Sequence, residues 1–292
     1  MIRLATIFLV IVCFSCKQEH TPTTAAASET DKETAYTKAV RHPYLTFKGR
    51  TVDTRFVPPE GYTRQAVPEN SFASYLRKLP LKTPGTPVRQ YDGQTKANPV
   101  HAAVVDLPIG DKDLHQCADA IMRLWAEHHW LQKDYDQIHF NFTNGQRVDY
   151  NEWRKGRNMI VKGNKTYWDN GNKPREGYQN FWEYMELIFM YAGTKSLVKE
   201  TQAIPIEDMK IGDIFIQGGF PGHAVIIVDL AINENDEKVF LLAQSYMPAQ
   251  EIHILINDNS DLSPWYTIPS KGNLNSPEWD FKLTDLRRIT RD

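Results

Sequence analysis

The stretch MKIGDIFIQGGFPGHAVIIVD at residues 209–229 decides the fold, because it joins two apolar strands through a loop of small residues. Residues 214–217 and 224–232 have the apolar, β-branched composition of strands. The polar turn at residues 233–237 leads to a third strand at residues 239–244. Strands joined by connections this short pair antiparallel, so the C-terminal half of the chain predicts an antiparallel sheet.

The helices are predicted before this sheet. Residues 111–130 form the clearest helix, with Asp111 or Asp113 as its N-cap. One face of this helix is formed by residues spaced i, i+3, i+4 and i+7: Ile121, Leu124, Trp125 and His128. A second helix is predicted at residues 178–191, and the tail from residue 262 is expected to wrap the surface. Helices followed by an antiparallel sheet indicate an α+β fold.

The N-terminus is similar to a bacterial lipoprotein signal. A positive Arg3 precedes a short apolar run, and the small Ser15 stands directly before Cys16. We therefore expect residues 1–15 to be a signal peptide and Cys16 to carry lipid that anchors the protein in a membrane. Residues 16–40 have the composition of a flexible tether, and residues 41–292 are expected to form one domain. This implies a cell-envelope lipoprotein, periplasmic or surface-exposed.

Composition excludes several classes of function. The net charge of −2 with no basic block argues against nucleic acid as a partner. No second stretch approaches the ~20 apolar residues of a membrane span. The adjacent His128 and His129 point about 100° apart on a helix and cannot chelate one ion together. We expect no metal and no cofactor.

Cys117 would be the only free thiol of the mature chain, because Cys13 leaves with the signal peptide and Cys16 is acylated. If Asp113 caps the helix, Cys117 lies in the first turn, where unpaired N–H groups stabilise a thiolate and lower the cysteine pKa. Such a thiol is a nucleophile at neutral pH. The alternative is a small core residue, because Cys117 lies on the same stripe as Ile121.

His223 follows a glycine-rich loop at the entry to a strand, where it is either a general base or a cap of the loop. A hairpin turn bracketed by Glu234 and Glu237 pairs Ile227 with Gln244, so Gln244 shares the face of His223. The Gln244 amide oxygen would then accept from the imidazole. A register slip of one residue would bring Ser245 there instead. Gln244 could equally bond the backbone of a loop.

The order of these residues resembles the papain-like cysteine peptidases of bacterial cell walls, the NlpC type. Gln116-Cys117-Ala118-Asp119, Gly212-Asp213-Ile214-Phe215 and His223-Ala224-Val225-Ile226 occupy the places of that family's motifs, although no Asp directly precedes Cys117 and no Ser-Gly follows it. The resemblance implies a papain-like core in which the Cys117 helix packs on an antiparallel sheet, with Cys117 as nucleophile, His223 as base and Gln244 as the third residue. The interval from Cys117 to His223 is wider than in that family, so residues 131–205 would be an insertion beside an N-terminal lobe.

The chain as a whole also resembles an uncharacterised family of bacterial lipoproteins. That likeness rests on three segments, QCADAIMRL, GDIFIQGGFPGHAVIIVD and LLAQSYMPAQEIHIL. It implies a lipoprotein but no particular activity.

The predicted insertion is dense in aromatic residues. They either form core or line a groove for a sugar or peptide chain. We expect Trp153 or Trp168 to lie beside the Cys117–His223 pair with a partly exposed ring, and Tyr246 to contact substrate. Two functions remain: a lipid-anchored thiol hydrolase or transferase acting on an amide bond, with cell-wall peptide as the expected substrate, or a non-catalytic envelope lipoprotein that binds glycan or peptide through the aromatic groove.

Overall fold

The computed structural model describes residues 43–171, 173–258 and 260–291. The expected signal peptide, the lipidated Cys16 and the segment predicted as a tether lie outside the described residues. The fold is α+β, as the order of elements in the sequence predicted. No helix in the described part of the chain is both long and apolar enough to cross a membrane.

Short helices and two longer ones alternate with strands along the chain. The helices are α1 (Val52–Arg55), α2 (Phe72–Arg77), α3 (Cys117–Leu131), α4 (Tyr150–Arg154), α5 (Gly177–Tyr191) and α6 (Thr194–Leu197). The first seven strands are β1 (Thr63–Arg64), β2 (His101–Val104), β3 (His139–Asn141), β4 (Arg147–Asp149), β5 (Met159–Lys162), β6 (Lys165–Trp168) and β7 (Thr201–Ala203). The others are β8 (Ile214–Gln217), β9 (His223–Ile232), β10 (Lys238–Gln244), β11 (His253–Leu255), β12 (Tyr266–Thr267), β13 (Asn273–Asn275), β14 (Asp280–Lys282) and β15 (Leu286–Ile289).

The main sheet is antiparallel and runs β2-β11-β10-β9-β8-β15-β7, with β1 on β9 and β12 on β10. The predicted strands β8, β9 and β10 are confirmed at its centre. The tail does not simply wrap the surface, because β15 lies inside the sheet between β8 and β7. Arg288 of β15 holds the Gly212-Asp213 turn through two bonds to the Asp213 carboxylate, at 2.6 and 2.8 Å.

The predicted N-terminal lobe is not separate from the sheet, because β1 and β2 both pair with strands of its centre. Asp229 in β9 is fully buried, and its carboxylate accepts from Arg64 and from Arg77 at 2.6 Å each. Loss of both arginines would leave the buried carboxylate without a cationic partner, which costs several kcal/mol. This pairing fixes the N-terminal segment against the middle strand.

The register of β9 on β10 differs from the prediction, because Ile227 pairs with Leu242 and not with Gln244. A bulge lies beside Leu241 and Leu242, where Val228 has no partner in β10. Side chains alternate along strands, so one extra residue turns the rest of β10 over relative to β9. The bulge thereby returns Gln244 to the face of His223, although the register itself was predicted wrongly.

Helix α3 begins at Cys117, six residues later than the prediction from residue 111. Asp113 does not cap it, because its carboxylate accepts from the Ala249 N–H at 2.6 Å and from the Gln116 amide at 3.1 Å. Gln116 is the N-cap, and the Asp119 carboxylate accepts from its backbone N–H at 3.0 Å. The helix packs on β9, so its first residue lies beside the start of that strand.

The segment predicted as an insertion, residues 131–205, forms two hairpins, β3–β4 and β5–β6, and helices α4 to α6. Helix α5 packs on α3, and Tyr184 of α5 bonds the Val148 carbonyl at 2.8 Å. The predicted helix at residues 178–191 is therefore confirmed. The segment also contributes β7 to the edge of the main sheet.

Candidate active site

Three elements converge where β9 begins: the first turn of α3, the first residue of β9 and the last residue of β10. They carry Cys117, His223 and Gln244, whose exposed fractions are 7%, 2% and 1%. The Cys117 thiol lies near enough to the backbone N–H of Ala224 for that group to influence the thiol pKa. The fold thus brings together the three residues that the sequence singled out for catalysis.

The glycines before His223 are required by close packing against α6. A Cβ on Gly222 would lie 2.4 Å from the Thr194 hydroxyl, and one on Gly218 would lie 2.8 Å from a Val198 methyl group. Neither position has room for a side chain unless the loop or the helix moves. The loop is therefore pressed onto residues at the end of the predicted insertion, which fixes the entry of β9.

His223 makes one side-chain hydrogen bond, from its Nε2 to the Gln244 amide oxygen at 2.8 Å. An oxygen acceptor requires that this nitrogen carry the proton in the neutral ring. Nδ1 is then the nitrogen with the lone pair, and it makes no hydrogen bond to another residue in the described part of the chain. The sequence argument for Gln244 as partner of the imidazole is matched by this contact.

The orientation of the Gln244 amide is fixed by its own neighbours. Its nitrogen donates to the Glu278 carboxylate at 2.7 Å and lies 3.2 Å from His253 Nε2. His253 Nδ1 donates to the Glu251 carbonyl at 2.9 Å, so His253 Nε2 is free to accept. Turning the amide over would put its oxygen against a carboxylate. The amide oxygen must therefore face His223.

The network continues from Glu278 to a buried lysine. Lys96 bonds the other Glu278 oxygen at 2.6 Å, and its ammonium group lies 5.1 Å from the centre of the Tyr246 ring. The two side chains are only 7% and 12% exposed. Segments far apart in sequence, at Lys96, Gln244 and Glu278, are thereby tied to one imidazole.

Aromatic rings enclose His223. The centre of its ring lies 4.9 Å from Tyr246, 5.4 Å from Trp279 and 5.9 Å from Phe281. Burial lowers the pKa of His223 to about 4, although the Gln244 bond opposes the shift. The imidazole is consequently neutral at pH 7, as a general base must be.

Cys117 departs from the expectation of an acidic thiol. Burial raises its pKa to about 11, and the nearby Asp119 carboxyl adds to the shift. The backbone N–H groups of Ala118 and Ala224 oppose this effect without overcoming it. The prediction that the helix N-terminus would lower this pKa was therefore wrong for the resting protein, because desolvation outweighs the helix dipole.

Among the described residues no hydrogen bond joins the Cys117 thiol to the His223 ring. The resting pair consists of a neutral thiol and a neutral imidazole that share a site without exchanging a proton. Ser245, the alternative under a register slip, instead contacts the carbonyls of His115 and Gln250 at 2.9 and 2.7 Å. This contact ties the end of β10 to the segment that precedes α3.

The predicted substrate contacts divide into two groups. Tyr246 packs on His223 and is partly exposed. Trp153 lies in α4, where its indole N–H donates to the Asn180 side chain at 2.8 Å, and its ring is 9% exposed. Trp168 ends β6, with the Arg157 guanidinium over its ring at 5.6 Å. Neither tryptophan makes a ring contact with His223 in the described part of the chain, whereas Trp279, which the sequence did not single out, does.

Sequence reasoning also missed Lys96, Glu278 and His253. His253 lies in the short strand β11, where it pairs with Gln244 of β10. Lys96 and Glu278 lie in segments without periodicity, and only tertiary structure brings them together. Within the described residues, no group of three His, Cys, Asp or Glu side chains is arranged to hold a metal ion.

Comparison with known proteins adds a family but no activity. No curated protein and no solved structure was found to match the chain. Residues 52–288 match the family model described as a domain of unknown function, DUF4846. That match spans most of the sequence and nearly all of the fold described above, so the chain belongs to the DUF4846 family.

Proposed function

We propose that the protein is a cysteine hydrolase or transferase that acts on an amide bond, with Cys117 as nucleophile, His223 as base and Gln244 as the residue that orients the base. The observation that carries this proposal is the 2.8 Å bond from His223 Nε2 to Gln244. It leaves Nδ1 as the basic nitrogen in a site that also holds the one free cysteine of the described chain.

Because the Cys117 thiol and the His223 imidazole are both neutral at rest, the proton moves during the attack on the substrate. The Cys117 sulfur attacks the amide carbonyl carbon while its proton passes to His223 Nδ1. The imidazolium then gives that proton to the leaving nitrogen, the C–N bond breaks, and a thioester remains on Cys117. Water, or an amine in a transferase, attacks the thioester carbonyl and restores the thiol. Gln244 stabilises the imidazolium, because its oxygen accepts from Nε2 throughout.

The developing oxyanion has donors at the start of α3. The first N–H groups of a helix have no acceptor within the helix, and Cys117 is the first residue of this one. Its backbone N–H and that of Ala118 are the groups that would bind the oxyanion. Removing one such donor in other enzymes slows the reaction by about 10²–10³-fold.

A papain-like core is part of the proposal. Its support is the chain order of a helix that begins with cysteine, a histidine at a strand start and a polar partner on the next strand. Helix α3 packs on β9, and β9 pairs with β10. The N-terminal sequence supports lipid on Cys16 and a place in the cell envelope, where the peptide of the cell wall is the amide-rich substrate within reach.

A second function is favoured by a specific observation. A thiol that is 7% exposed with a pKa of about 11 is also what an inert core cysteine has. In that case the protein is a non-catalytic envelope lipoprotein, and the partly exposed aromatic side chains, Tyr246 among them, bind glycan or peptide. Binding without turnover distinguishes this function from the first.

The test is release of amine groups from a purified cell-wall digest, measured with an amine-reactive label. We expect the wild-type protein to release new amines and Cys117→Ala to release none. His128→Asn is the matched control, because it changes another buried histidine, outside the site, and should keep the wild-type rate. Binding of the digest by both wild type and Cys117→Ala, with no amine release by either, would establish the second function.

A further inference from the structure

A polar cavity, separate from the His223 site, lies at the β7–β15 edge of the sheet. It has a volume of about 310 Å³ and is lined by the β3–β4 hairpin, by Lys199 and Glu200, and by Thr290 and Arg291 at the end of the described chain. None of its lining residues belongs to the network around His223. Its volume is at the lower end of the range for small-molecule sites.

The Arg291 guanidinium has more hydrogen-bond donors than the described residues have acceptors for them. Its side chain is 4% exposed, and Nη1 donates to Glu200 at 2.8 Å. The other two nitrogens, Nε and Nη2, are buried and have no hydrogen-bond partner among the described residues. The guanidinium lies over the Phe140 ring at 5.2 Å, which fixes its plane. Buried donors of this kind are costly unless a ligand accepts from them.

The charges around Arg291 are mostly positive. Arg147 and Lys199 also line the cavity, together with the Glu200 carboxylate. Arg147 is paired with Asp149 at 2.7 Å, so one net positive charge remains. Glu200 is already engaged, because its other oxygen accepts from the Asn141 N–H at 2.9 Å. His139 is neutral at pH 7, since burial lowers its pKa to about 4 and Arg291 and Arg147 add to the shift. The remaining positive charge favours the binding of an anion.

We propose that this cavity binds a phosphate group, free or carried by a small molecule. The two unpaired nitrogens of Arg291 form a planar pair that matches two phosphate oxygens, and Lys199 and Arg147 reach the same cavity from exposed positions. This site is independent of the reaction proposed for Cys117, and either can be wrong without the other.

The experiment is calorimetric titration of the full chain with inorganic phosphate at pH 7.5 and constant ionic strength. We expect saturable binding of one phosphate per chain. Lys199→Ala and Arg147→Ala should each weaken it about tenfold, as loss of a charge-assisted hydrogen bond does. Lys165→Ala, an exposed lysine outside the cavity, should leave it unchanged.

Arg291→Lys tests the planar pair of donors. It keeps a positive charge beside Glu200, so a folded variant is expected, and circular dichroism checks this. Binding should fall by more than tenfold. The proposal is overturned if phosphate gives no saturable heat, if Lys199→Ala and Arg147→Ala bind as tightly as wild type, or if acetate competes as well as phosphate, which would make the site a carboxylate site.

Discussion

The His223 and Arg291 side chains are both buried and polar, but their surroundings satisfy their hydrogen-bonding groups in opposite ways. Each side-chain nitrogen of His223, Gln244 and His253 except His223 Nδ1 has a partner in the described chain. Around Arg291 two nitrogens have none. A network that is satisfied except at one atom holds that atom in place for a reaction. Donors left over in a cavity are available to a ligand.

Acid should lower the stability of the protein mainly through the histidines of the His223 region. Burial lowers the pKa of His223 to about 4 and the pKa of His115 and His253 to about 3 each, whereas an unfolded histidine has a pKa near 6.5. The unfolded chain therefore binds these protons first. The free energy of unfolding should fall as pH drops below about 6.5 and continue to fall to about pH 3, by about 3 kcal/mol or more for each histidine.

Urea unfolding at pH 7, 6 and 5 measures this loss. The urea midpoint should decrease at each step, and His253→Gln, which can still accept from Gln244, should show a shallower decrease. Equal midpoints at pH 5 and 7 would mean that these histidines are not buried as described.

Gln244→Leu should break the satisfied network. It leaves His223 Nε2, His253 Nε2 and the Glu278 carboxylate each without one partner, and each buried group left unpaired costs about 1–3 kcal/mol. We expect a loss of about 3 kcal/mol or more in the free energy of unfolding, measured in urea. Gln244→Glu is the informative companion, because it keeps the acceptor for His223 but places a second carboxylate beside Glu278. A Gln244→Leu protein as stable as wild type would contradict the network.

A double substitution at the Arg291 cavity should have the smallest effect on the free energy of unfolding. Arg291→Met with Glu200→Gln removes the buried charges together and keeps an acceptor for the Asn141 N–H. Replacing a buried ion pair by residues of similar size is often neutral. We expect a change under about 1 kcal/mol in the free energy of unfolding at low phosphate, together with loss of phosphate binding. A loss as large as that of Gln244→Leu would mean that Arg291 is structural and not kept for a ligand.

The parts of this molecule that local pattern governs were predictable from its sequence. The apolar strands at residues 214–217 and 224–232 and the helix at residues 178–191 follow from periodicity and turn chemistry. The contact of Gln244 with His223 was predicted from a register that the structure does not have, and it depends on the bulge in β9. The bulge opposite Leu241 and Leu242 was not predictable, because one extra apolar residue does not change the composition of an apolar strand. The true start of α3 was missed because Asp113 bonds Ala249, which is far away in sequence.

The electrostatics of the site were the least predictable part. The position of Cys117 at a helix start indicated a lowered pKa, but burial raises the pKa instead, and the Ala118 and Ala224 N–H groups do not overcome this effect. Desolvation depends on what covers a group, and that is a property of the tertiary structure. The same holds for Lys96 and Glu278, which no local pattern connects to His223.

The central claim is that the Cys117 sulfur forms a bond to the substrate with His223 as base. The direct measurement is the intact mass of the protein after brief incubation with cell-wall peptide and quenching in acid. We predict an increase equal to the acyl part of the substrate, located on Cys117. It should be absent from Cys117→Ala and form at least about 100-fold more slowly in His223→Gln. Amine release that proceeds equally in Cys117→Ala, or acylation that is as fast in His223→Gln as in wild type, would contradict the account.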